Sequence, residues 1–306
     1  MNLLKSLLGK FKDTELNEIQ RNLYRHVDHI SNQIGERNHV SYYNLEKTYE
    51  YILNELQRFS FSVDDLDFSH EKITFHNIVA EKRGDQKPEE IIVIGAHYDT
   101  VINSPGADDN TSGVAALLEF ARLLDSYSSN RTLRFVAVAQ EEPPYFGTNH
   151  MGSYVYAKRC KKKKENIIGM IALEMLAYFT DKRKSQKYPL PALEEIYPDV
   201  GNFIGIVGNN QSRAMVESLA ENMKQDKGVP VESIVTYAGV PGIDLSDHSS
   251  FWKMGYKAVM ITDTAFYRNP YYHRPNDTIE TLNFKSYARL VHAMRIAIEK
   301  LDSNGF

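Results

Sequence analysis

An apolar run, Ile91-Ile92-Val93-Ile94-Gly95-Ala96, ends abruptly in His97, and Asp99 stands two positions further on. Such a run reads as a strand buried on both faces of a parallel sheet, and open α/β sheets bind their ligands at the carboxyl ends of such strands. A second polar stretch, Asp108-Asp109-Asn110, follows closely. Imidazole and carboxylates gathered at a strand end suit a borderline metal such as zinc.

The pattern recurs. Residues 133–139 are almost wholly apolar and run into Gln140-Glu141-Glu142, and residues 167–173 run into Glu174. Neighbours on a regular strand point to opposite faces, so Glu141 and Glu142 share a site only if the strand turns off there, and Pro143-Pro144 supplies the exit. A carboxylate closing an apolar run is costly unless it is paired or holds a metal. Singly, each acid also reads as a helix cap or a surface ion pair, Asp109 in particular as a cap for a helix opening at Thr111. Three successive strands ending in histidine or acid are poorly served by that explanation. His273, in Tyr272-His273-Arg274-Pro275-Asn276-Asp277-Thr278, offers a nitrogen from the far end of the chain.

Around these strands the periodicity predicts further elements. Helices are expected over 13–35, 43–58, 111–126, 147–162, 211–226, 247–254 and 284–301, and strands over 72–81, 90–97, 131–139, 167–175, 202–207, 231–236 and 256–262. Alternation of this kind implies an α/β three-layer sandwich, a mixed, largely parallel central sheet flanked by helices. With no repeat or low-complexity linker, residues 1–306 read as one catalytic domain, with 1–60 as N-terminal helices packed on it. Three connections, 177–201, 237–247 and 263–278, are long and rich in aromatics, which marks them as pocket walls rather than ordinary loops. Tyr237 and Tyr267 are the pocket candidates they carry.

The composition excludes some functions. A net charge of −4 over 306 residues leaves no footprint for nucleic acid. The one dense basic cluster, Lys161-Lys162-Lys163-Lys164, closes a helical pattern, where cations favour the helix end. The single cysteine, Cys160, allows no intrachain disulfide and fits a reducing compartment. Leucines at helical spacing in residues 1–10 are interrupted by Lys5 and Lys10, which reads as a docking amphipathic helix rather than a signal or a span. The expectation is a soluble protein with no membrane span and the cytoplasm as compartment, export with a removed signal being the alternative. No serine-nucleophile elbow, phosphate loop or Cys-x-x-Cys is present.

Taken in order, Gly95-Ala96-His97-Tyr98-Asp99-Thr100-Val101, the stretch from Pro105 to Gly113, Glu141-Glu142, Ser246-Asp247-His248 and Tyr272 to Thr278 resemble the co-catalytic zinc aminopeptidase family of the aminopeptidase Y type, which also contains glutaminyl cyclases. That resemblance implies two Zn(2+) ions, other divalent metals being alternatives, on His97, Asp108, Glu142, Glu174 and His273. Asp108 would bridge them across a cis Asp108–Asp109 peptide. Glu141 would be the general base and Asp99 would orient His97. Asp109, Asp247 and His248 would sit behind the ligands or along the substrate pocket. Two departures stand out: Glu174 replaces the family's usual aspartate, and Ile243 stands where some members have a tyrosine. The implied activity is hydrolysis of N-terminal bonds in peptides or amino-acid amides. The alternatives are a single-zinc glutaminyl-peptide cyclotransferase and a non-catalytic binding protein of the same fold.

Overall fold

A computed structural model describes residues 2–237 and 239–306, with side chains described from Asp13 onward. The helices are α1 (Asn2–Val27, continuing as wider turns through Asp28–Ile34), α2 (Tyr42–Leu56), α3 (Gly113–Leu124), α4 (Gly152–Lys163), the short α5 (Pro191–Glu194), α6 (Arg213–Asp226), α7 (His248–Lys253) and α8 (Phe284–Asn304). The strands are β1 (Ser62–His70), β2 (Ile73–Lys82), β3 (Lys87–His97), β4 (Arg131–Val138), β5 (Asn166–Glu174), β6 (Ile204–Gly208), β7 (Val231–Val235) and β8 (Ala258–Thr262). They form one sheet in the order β1-β2-β4-β3-β5-β8-β6-β7. The central strands β4, β3, β5 and β8 are parallel, while β2 joins β4 and β6 joins β8 antiparallel.

Side-chain alternation divides the core into two layers. Ile92, Ile94, Leu133, Phe135, Ile171 and Leu173 face the larger cluster, with residues of α1, α3, α6 and α8. Ile91, Val93, Val136, Val138, Met170 and Ala172 face the opposite side, against Tyr156, Ala157 and Cys160 of α4 and Phe251 of α7. Helices therefore cover both faces, and the carboxyl ends of the parallel strands emerge together at one edge of the sheet. On α8, Tyr287, Leu290, Val291, Met294, Ile298 and Leu301 recur at helical spacing and are buried, and Asn283 caps its start by accepting from Ser286 N at 3.0 Å.

β1 is absent from the periodicity reading. It is an edge strand carrying Asp64, Asp65 and Asp67, only Leu66 of it is buried, and it is held by its hairpin register with β2. Charges on an edge discourage further pairing and mask the strand pattern. α4 opens at Gly152 rather than 147 because residues 143–151 form turns. Lys161 to Lys164 close α4 in the open, and Cys160 is buried, its thiol pushed up to about 12 by burial and then by Glu165. No helix among the described residues is long and apolar enough to cross a membrane. The expected amphipathic docking of residues 1–10 lies outside the described side chains.

Ile19, Leu23, Val27 and Ile30 of the first helix join the core alongside Leu45, Ile52 and Leu56 of α2. Between these helices His26 is buried, 2.8 Å from Tyr51 Oη through Nδ1 and 3.1 Å from Arg25 Nη2 through Nε2. A guanidinium only donates, so Nε2 accepts and the ring is neutral, its proton on Nδ1 donated to Tyr51. Burial, followed by the Arg25 charge, pulls its pKa down to about 3. In the unfolded chain a histidine titrates near 6.5, so between the two values the unfolded state binds the extra proton and stability falls as pH falls. His26→Gln should flatten the loss of urea midpoint between roughly pH 6.5 and pH 4 relative to the parent chain. Parallel curves would show that His26 is not held neutral.

Candidate metal centre

The parallel strands deliver their ends to one place. His97 closes β3 and Glu174 closes β5, while Glu141 and Glu142 follow β4 after Gln140, whose φ of 60° turns the chain out of the strand. That turn lets two adjacent glutamates face one site. Asp99 couples the strand ends: its carboxylate accepts from Glu141 N and Glu142 N, both at 3.0 Å, and lies 3.4 Å from His97 Nδ1. It thus orients the His97 ring while fixing the backbone of the glutamate pair, the arrangement that commonly supports a ligating histidine.

The shared carboxylate is Asp109, not Asp108. Asp109 Oδ1 lies 3.6 Å from His97 Nε2 and Oδ2 lies 3.2 Å from His273 Nε2. Glu174 Oε2 is 3.4 Å from His97 Nε2, and Glu142 Oε2 is 3.2 Å from His273 Nε2. Two donor groups result, His97 with Asp109 and Glu174, and Asp109 with Glu142 and His273, the atoms of each within 4.8 Å of one another. Asp108 is turned into the protein. It accepts from Ala177 N at 3.0 Å and Asn269 Nδ2 at 2.7 Å, and burial together with Asp263 raises its pKa well above the usual carboxylate range. The cis peptide likewise falls one bond later than expected, at Asp109–Asn110. Asp277 sets this register by accepting from Asp108 N and Asp109 N, both at 3.0 Å, and Asn110 ties the loop to β5 through Leu173 O and Met175 N.

Electrostatics and hydrogen bonding both fit a cation here. His97 Nδ1 and Nε2, Asp109 Oδ2 and Glu142 Oε1 are buried without a hydrogen-bond partner. Buried polar atoms are rarely left so, and all four belong to side chains of the two donor groups. Burial and then Asp109 push Glu142 up to about 8. Burial also raises Glu141 well above the usual range. Against the opposing pull of burial, the Asp109 and Glu142 carboxylates, each 3.2 Å from Nε2, push His273 up to about 10. Nitrogen and carboxylate oxygen at this density are the ligands zinc takes.

Glu174 reaches the first group because Ser246 Oγ donates to its Oε2 at 2.6 Å. Asp247 is buried nearby, pushed up to about 7 by burial. His248 is outside the cluster: its Nε2 is 2.7 Å from Ile243 O, its ring meets Trp252 edge-on, and burial pulls it down to about 4. Against the cluster opens a pocket with Glu174 and Tyr272 among its walls. All three long connections contribute to it, through Tyr188 and Tyr197, Pro241 and Leu245, and Phe266 and Tyr267. Tyr237 does not: it is 68% exposed and absent from the lining. Tyr272, one of the aromatics of the third long connection, stacks on His273 at 3.7 Å.

The sequence profile of Peptidase family M28 matches residues 77–298, more than half of the chain and the whole of the ligand set. The chain belongs to Peptidase family M28. By family it is a zinc metallopeptidase of the aminopeptidase type, a hydrolase. An uncharacterized protein of Escherichia coli (strain K12), YfbL, is 38% identical over 277 residues, 88% of this chain and 84% of that one. Aminopeptidase YwaD of Bacillus subtilis (strain 168) is 38% identical over 94 residues, 30% of this chain and 21% of that one. The chain spans about half the length or less of several further relatives named as aminopeptidases or zinc metalloproteases. Among solved structures, an aminopeptidase from Aneurinibacillus sp. strain AM-1 superposes with a TM-score of 0.70 at 16% identity over 92% of this chain and 93% of that one. A glutaminyl cyclase from Fimbriiglobus ruber gives 0.69 at 19%, over 92% and 94%. Likeness at these identities establishes the fold.

Proposed function

We propose that this member of the family hydrolyses the first bond of peptides or amino-acid amides at a two-zinc centre, with Glu141 as general base. The observation that carries this reading is that Asp109 belongs to two donor groups at once, while Glu141 stands beside them and belongs to neither. His97, Asp109 and Glu174 would hold one cation, and Asp109, Glu142 and His273 the other. When bound, two such cations polarise a carbonyl and make a water more acidic.

The protein's own groups do the rest. Glu141 Oε2, 3.9 Å from His97 Nε2, takes the proton of the attacking water and returns it to the departing amine. Asp99 keeps that carboxylate in place by holding the Glu141 amide. Tyr272, stacked on His273 and lining the pocket, stands where the cluster meets the substrate space. Ser246 holds the longer Glu174 side chain to its group. A cyclase needs one metal, and the sharing of Asp109 between two groups supports the hydrolytic reading.

Phe203, Val207, Ile243 and Met260 make the depth of the pocket apolar. Large aliphatic or aromatic N-terminal side chains would fill it, each buried methylene being worth roughly 1–3 kcal/mol of discrimination. Across a panel of amino-acid amides, kcat/KM should rise at least about tenfold from glycine to leucine or phenylalanine. A flat panel, or a preference for charged residues, would remove the pocket from the reading. Cyclisation of an N-terminal glutamine without release of any amino acid would replace it with the cyclase.

A further inference from the structure

We infer that Arg37 is a positioning residue for the metal-ligand loops, a buried clamp that sets where the exit of β3 meets the loop carrying Asp109. Arg37 lies between the first two helices, outside the stretch matched by the family profile, and its side chain is fully buried. All five of its side-chain N–H groups find an acceptor. Nε donates to Tyr98 O at 2.6 Å, Nη1 to Pro105 O at 2.7 Å and Gly35 O at 3.1 Å, and Nη2 to Thr111 Oγ1 at 2.7 Å and Gly106 O at 3.2 Å. The backbone adds a reciprocal pair, Arg37 N to Thr100 Oγ1 and Thr100 N to Arg37 O.

Two features separate this from ordinary packing. Four of the five acceptors lie on the two segments that carry ligands, Tyr98 just after His97 and Pro105, Gly106 and Thr111 around Asp109. Gly106 has no room to give: its φ is 58°, and a Cβ there would stand 2.2 Å from the Asp109 carbonyl oxygen. The guanidinium also meets no carboxylate within 4 Å among the described residues, although buried charges normally have such a partner. Its charge instead is felt, without contact, by the carboxylates of Asp99, Asp277, Asp109 and Glu142. Five donors in a rigid fork are specific to arginine, since lysine offers three on a flexible stem.

The test is zinc affinity by chelator competition, read alongside kcat, KM and thermal unfolding, on Arg37→Met, Arg37→Lys and Arg37→Ala. Groups that orient ligands typically cost about 10–100-fold in metal affinity or activity when removed, so Arg37→Met should weaken zinc binding by about that factor and lower kcat with KM nearly unchanged. Arg37→Lys keeps the charge but loses the fork, and should stay about tenfold or more below the parent in zinc affinity. Millimolar guanidinium, but not sodium at equal ionic strength, should restore zinc affinity to Arg37→Ala. If the Met and Ala forms fail to fold, Arg37→Lys and Thr111→Val, which removes one acceptor, carry the same readout. A folded variant with parental zinc affinity and kcat, whatever its melting temperature, would overturn the inference. Because zinc affinity is read without substrate, failure of the aminopeptidase reading leaves this result standing.

Discussion

Glu141→Gln should lose about 10²–10⁴-fold in kcat while binding zinc as tightly as the parent chain, the usual range for removing a general base. The substitution keeps shape and burial and removes only the ability to take a proton. Glu141 N continues to donate to Asp99, so the strand exit and the His97 ring keep their support. Glu142→Gln is the contrasting case, because Glu142 Oε2 lies 3.2 Å from His273 Nε2 within a donor group. It should lose metal and activity together. If Glu141→Gln also sheds metal, the two glutamates have exchanged roles.

The second large effect concerns the adjacent aspartates. Asp109→Asn removes the carboxylate common to both groups and should abolish tight binding of both ions, with activity falling by at least about 10³-fold, as expected when the chemistry of metal catalysis is withdrawn. Asp108→Asn should retain zinc. Its cost is to stability, about 1–3 kcal/mol for disturbing a buried hydrogen-bonded pair, since Asp108 faces Ala177 N, Asn269 and Asp263. Zinc titrations and urea unfolding on the two variants separate these outcomes. Retention of both ions in Asp109→Asn would return the bridging role to its neighbour.

Legibility in the sequence followed burial. The central strands were plain because 91–96, 133–139 and 167–173 are apolar on both faces, and the same runs drew attention to the residues ending them. β1 was hidden because an acidic edge strand need not alternate. The choice between Asp108 and Asp109 is invisible to composition and spacing, since both are aspartates at the mouth of one helix. Tertiary bonds decide it: Asp277 holds both amides, and Ala177 and Asn269 take Asp108 inward. The Glu174 departure acquires a physical explanation only when Ser246, 72 residues away, is seen donating to it. Arg37 gave no signal, because its role depends on three distant carbonyls, of Tyr98, Pro105 and Gly106, and the Thr111 hydroxyl. His248 read as part of the site from its motif, yet its imidazole is spent on Ile243 O.

The most direct measurement is anomalous diffraction at the zinc edge from crystals of the zinc-saturated protein. Two peaks roughly 3.5–4 Å apart, with the Asp109 carboxylate between them and Glu141 bound to neither, are the expected result. A single peak in fully active protein, or two peaks bridged by Asp108, would contradict the shared-carboxylate centre.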